Sequence, residues 1–104
     1  MTMIAKTLYE AAKSERLEHV EAKLRELQEE IEQKMAAIVR QMFAEPPDIE
    51  KYGKLRRALD AVIEIKIATI AAKNRAYEED ESVWRAVIRL LIFNYAELLD
   101  AVEP

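Results

Sequence analysis

Leu17, Val20, Leu24, Leu27, Ile31, Met35, Ile38 and Met42 recur at intervals of three and four residues. That spacing brings side chains onto one stripe of an α-helix and, sustained over several heptads, makes a seam for packing against another helix. No Gly or Pro interrupts residues 2–44. Glu45-Pro46-Pro47 closes the run, because proline lacks an amide donor and drives the residue before it out of helical geometry. Upstream, Ile4, Leu8 and Ala12 step by four, but the interval from Ala12 to Leu17 is five. This phase slip, with Ser14 inside it, leaves two alternatives open: a short first helix ending near Lys13, or a bend in one long helix.

A second stretch opens at Pro47-Asp48 and carries Tyr52, Leu55, Leu59, Val62, Ile63, Ile70 and Tyr77 at helical spacing. Val62 to Ile67 also alternates with period two, as a strand does. Strong helix formers flank it and no second strand exists to pair with it, so helix is predicted. Gly53 is expected to delay the regular helix to about Lys54. After Glu78-Glu79-Asp80-Glu81-Ser82, a third stretch carries Trp84, Val87, Ile88, Leu91, Tyr95, Leu98, Leu99 and Val102 as a core face. The acidic run complements the dipole at the start of that helix. Val83, Leu90 and Phe93 project elsewhere on the helical wheel, and a helix apolar on more than one side is usually buried on more than one side.

The pattern predicts an all-α fold: one domain over 1–104, an antiparallel helical bundle with helices at about 2–44, 48–79 and 81–103. A break near Ser14 would make the helices four. An unbroken first helix would run about 60 Å and the third only about 33 Å, at roughly 1.5 Å per residue. Part of the first seam would then need another chain. Oligomerisation, most simply a homodimer, is expected to complete the bundle through Leu17, Val20, Leu24, Leu27 and Ile31 or through Leu90 and Phe93.

Composition narrows the functional classes. The absence of Cys excludes disulfides, thiolate metal sites and a thiol nucleophile. One His, one Gly and three Pro leave little for phosphate-cradling loops. Three Gln and two Asn stand against 36 charged side chains, a bias reported for hyperthermophile proteins and shared in part by any helical composition. No signal-peptide pattern is visible in the first residues, and the most apolar stretch, Val83 to Val102, contains Arg85, Arg89, Glu97 and Asp100. A cytoplasmic protein with no membrane span is expected.

Each candidate centre meets a plainer explanation. His19 lacks the Lys-Gly that follows the phosphoacceptor of histidine phosphotransfer domains, since Val20-Glu21-Ala22-Lys23 comes after it. A carboxylate–histidine metal centre needs Glu at position 16, where Arg16 stands, and a second His. Glu26, Glu29, Glu30 and Glu32 read as a solvated face, with Glu30 pairing Lys34. Lys66 sits near the second helix's apolar stripe, where it would snorkel or pair with Glu97 or Asp100. Arg85 and Arg89 read as a solvated ridge or interface rim. Lys51, Lys54, Arg56 and Arg57, with Tyr52 among them, have the cation-and-aromatic character of a phosphate contact. The net charge of −4 and the flanking Asp48, Glu50 and Asp60 oppose that use. All-helical chorismate mutases resemble the chain in size and dimeric shape, and Arg25, Arg40, Arg57 and Lys66 would be the pocket cations. The third helix has no Gln, and no motif carries the likeness.

No catalytic residue, cofactor or metal ligand is therefore expected. The chain reads as a non-catalytic interaction, scaffold or regulatory module acting as a homo-oligomer, with another protein as an additional partner. A small nucleic-acid-associated protein using residues 51–57 is the alternative, and a small dimeric helical enzyme the third.

Overall fold

The computed structural model describes residues 2–75 and 80–103. It is all-α, with no strand among the described residues. The helices are α1 (Met3–Ser14), α2 (Leu17–Gln41), α3 (Ile49–Arg75), α4 (Glu81–Asn94) and the short α5 (Ala96–Leu99), followed by a 3₁₀ turn at Asp100–Val102. Among the described residues, no helix is long and apolar enough to cross a membrane. Tyr77, Glu78 and Glu79, assigned above to a core stripe and an acidic helix start, lie outside the described residues.

The phase slip is a break. Glu15 and Arg16 both take extended backbone, and Ser14 Oγ donates to the Glu10 carbonyl at 3.1 Å, closing the last turn of α1. Two non-helical residues reset the phase, so that Ala12 and Leu17 are both buried despite their interval of five. The chain folds back at this point, and the whole molecule measures 53 × 24 × 16 Å. A single 40-residue helix would have exceeded that long axis.

α2 and α3 form a long antiparallel hairpin around Glu45-Pro46-Pro47, and α1, α4 and α5 lie against it as a second layer. One core joins them. Leu24 and Ile31 of α2 meet Leu55, Val62 and Ile65 of α3, Ile88 and Ile92 of α4, and Leu99 and Val102 at the end. The buried side of α3 includes Ala58, Ala61, Thr69 and Ala72, whereas Leu59, Ile63 and Ile70 are only half-buried. This face is broader than the predicted stripe because α3 packs on α2, α4 and α5 at once. Val62 to Ile67 is helical, as expected.

α3 starts at Ile49, one residue from the predicted bound of 48, and Gly53 lies inside it without delaying the helix, because Asp48 Oδ1 accepts from the Lys51 N–H at 3.0 Å and stabilises the first turn. A boundary inside the third stretch does differ from expectation. The third predicted helix is interrupted at Tyr95 (φ −100°, ψ 9°), where the Tyr95 hydroxyl donates to Glu64 Oε2 of α3 at 2.7 Å. That turn lets α5 and the 3₁₀ turn bend onto α3.

The ends of the chain also meet. Thr2 Oγ1 accepts from the Ala5 N–H, and Glu103 Oε1 accepts from the Ile4 N–H at 2.8 Å, so residue 103 caps α1. Lys34 of α2 donates to the Val102 carbonyl nearby.

Candidate functional site

α4 is amphipathic in an unusual sense, because its second side is also apolar. Ile88 and Ile92 face the core, with Trp84 and Leu91 half-buried beside them. Val83, Ala86, Leu90 and Phe93, spaced three, four and three, look outward with Val87 alongside. Val83 is 56% exposed, Leu90 67% and Phe93 65%, and Val87, expected on the core face, is 39% exposed and belongs to this outer side instead. Where this face meets α1, an open cleft of about 360 Å³ is lined by Tyr9, Ala86, Arg89, Leu90 and Phe93. The Arg89 guanidinium lies 6.0 Å from the centre of the Tyr9 ring, at the outer range of a cation–π contact.

A second apolar surface sits at the hairpin end. The α2 seam runs past the point where the second layer covers it, and residues 39–51 are all exposed. Ile38, Val39, Met42, Pro47, Ile49 and Tyr52 line a shallow groove of about 350 Å³. Phe43, at the apex, is 93% exposed. Composition hides this residue, since it stands off the seam. Its signal in the sequence is an aromatic placed just before a double-proline turn.

The basic cluster divides. Lys51, Lys54 and Arg57 are three residues apart and share one side of α3, while Arg56 turns away toward Asp60, 3.8 Å distant. Lys54 pairs with Glu50 at 3.2 Å. Lys54 and Arg57 also border a cleft of about 380 Å³ whose other wall carries Glu97 and Asp100. The cations thus stand among carboxylates, whereas a phosphate surface needs them unopposed.

Most remaining candidates hold the fold together. Arg85 is no solvated ridge. Its side chain is 18% exposed and donates to the Ala12 carbonyl at 2.9 Å, satisfying an orphan acceptor at the end of α1. Lys66 donates to Gln28 Oε1 of α2 across the hairpin, not to Glu97 or Asp100. Lys73 reaches Glu21 at 2.8 Å, and this hydrogen-bonded ammonium holds the Glu21 carboxyl below its usual range. Glu30 and Lys34 pair at 3.6 Å. His19, Glu26, Glu29, Glu30 and Glu32 are exposed, and no cluster of three metal-ligating side chains occurs among the described residues.

Of the expected interface residues, Leu17, Val20, Leu24, Leu27 and Ile31 are buried within the chain itself. The break at Glu15 and Arg16 turns α1 onto α2. The surface these residues were expected to offer a partner is therefore filled from within. Leu90 and Phe93 alone of that set face solvent. Comparison of the chain with protein-family models, curated proteins and solved structures gives no match.

Proposed function

We propose that the chain is a non-catalytic helical-bundle module that works by self-association, its adhesive surface being the outer face of α4. One observation carries this: Val83, Val87, Leu90 and Phe93 form a continuous apolar stripe that nothing in the described chain covers. Together they leave a little over two side chains' worth of apolar surface in water. Burying it is worth about 3–7 kcal/mol per copy. Two such surfaces together supply about 6–14 kcal/mol against an association cost on the order of 4–15 kcal/mol, so binding reaches the micromolar range only where burial is near its upper figure and the cost near its lower one. A small chain also gains stability from its partner by mass action. A cytoplasmic setting is part of the same reading, and the charge-rich, amide-poor composition supports a heat-adapted one.

Sedimentation equilibrium at micromolar concentration should give a mass of at least twice 12.0 kDa. Leu90→Glu should shift it toward monomer with an unchanged helical CD spectrum, because Leu90 takes no part in the core. A parent protein that stays monomeric to millimolar concentration would end this proposal.

A further inference from the structure

Self-association through α4 leaves its geometry open, and three observations select one. The first is shape. Among the described residues Phe43, 93% exposed, is the most exposed large apolar side chain, and it stands at the apex of the α2–α3 hairpin. The α1–α4 cleft of Tyr9, Ala86, Arg89, Leu90 and Phe93 is an open depression of about 360 Å³ bordered by two aromatic rings. Aromatic side chains favour edge-to-face or offset contact with such rings.

The second is charge. Arg89 borders the cleft, while the apex carries Glu45, Asp48 and Glu50 together with the cations Arg40, Lys51 and Lys54. Glu50 pairs with Lys54 and Asp48 caps α3. Neither Glu45 nor Arg89 has an ion-pair partner among the described residues. Seating Phe43 in the cleft would bring Glu45, two residues further on, toward Arg89. The third is what face-to-face pairing would do. Two α4 stripes crossing antiparallel about Leu90 would set Arg89 against its own copy, because residues flanking a seam face their equivalents in such pairs. Like charges there oppose closure.

On the basis of self-association as proposed above, we infer that copies join head to tail, Phe43 of one seating in the α1–α4 cleft of the next. The contact is heterologous, so it propagates into a ring if the rotation closes and into an open chain if it does not.

Two exposed-residue variants separate the possibilities. Phe43→Glu removes the inserted ring and leaves the cleft intact, while Leu90→Glu spoils the cleft and leaves the ring. Thermal melts and CD establish that both are folded. Each variant alone should associate roughly 10- to 100-fold more weakly than the parent, the factor expected from losing one buried apolar side chain. Their equimolar mixture should recover association, but only to a 1:1 pair of twice 12.0 kDa, since one sound contact remains. If Phe43→Glu associates like the parent while Leu90→Glu does not, α4 pairs with itself and head-to-tail joining is wrong, with self-association intact. If the mixture shows no recovery, head-to-tail joining is also wrong. If the parent protein is monomeric throughout, both proposals fall together.

Discussion

Replacing Arg85 with Met would remove a guanidinium while keeping most of the apolar stem that packs between α1 and α4. The lost contact is the 2.9 Å hydrogen bond to the Ala12 carbonyl. That carbonyl belongs to the last turn of α1, where acceptors have no partner within the helix. A hydrogen bond to a charged group in a setting only 18% exposed is worth about 1.5–3 kcal/mol. The positive charge near the negative end of α1 contributes within that figure, at about 0.3–1 kcal/mol. The Glu81 contact, 3.4 Å away and half exposed on its acidic side, adds only about 0.3–0.5 kcal/mol. Arg85→Met should therefore destabilise by about 1.5–3 kcal/mol, and Glu81→Gln by less than about 0.5 kcal/mol. Urea unfolding at fixed protein concentration, pH 7, would read both as shifts in midpoint at constant slope. Fixed concentration matters because association adds its own stability. Equal and small effects for the two variants would refute the capping role, and would mean that water serves the Ala12 carbonyl as well as Arg85 does.

Gly53→Ala should stabilise α3 by about 0.4–1 kcal/mol, because a Cβ there meets no atom within 4 Å and the backbone is helical; a fall in melting temperature would contradict this. The depressed Glu21 carboxyl contributes stability that is complete above its ordinary value of 4.5 and is lost as pH falls through 4.5 and then through the lower folded value. Lys73→Met should accordingly destabilise at pH 7 and have little effect near pH 2, and an equal effect at both would rule out the ion pair as its cause. Fluorescence anisotropy with duplex DNA at about 150 mM salt should show no binding tighter than micromolar, given the carboxylates among Lys51, Lys54 and Arg57. Tighter binding that Lys54→Glu with Arg57→Glu abolishes would instead make nucleic acid the partner.

Local signals were legible along this chain and distant ones were not. The α2 seam, the turn at Pro46-Pro47 and the helicity of Val62 to Ile67 follow from spacing and propensity, quantities set within a few residues. The break at Glu15 and Arg16 showed only as a phase slip, with no Gly or Pro to mark it. The turn at Tyr95 has no such marker either; its hydroxyl is held by Glu64, 31 positions away. Arg85 reads as surface on its own helix because its acceptor lies 73 positions away. That Leu90 and Phe93 point away from the core face of α4 was readable from the helical wheel, since direction around a helix depends on spacing alone. Phe43 and Tyr9 were not readable in the same way. One lies off the seam in a turn, and the other acquires its place only when α1 folds back beside α4.

The hydrogen bond from the Ile4 N–H to Glu103 spans 99 positions, so the two ends of the chain acquire their order at very different moments of synthesis. The α2–α3 hairpin needs only neighbouring segments and can close while the chain is still being extended. α1, although made first, must wait for α4 to lie along it and for residue 103 to close its first turn. During that interval Ala5, Leu8, Ala11 and Ala12 have only part of the surface that will cover them. Amide hydrogens of α1 should for the same reason exchange before those of α2 and α3 in the finished molecule.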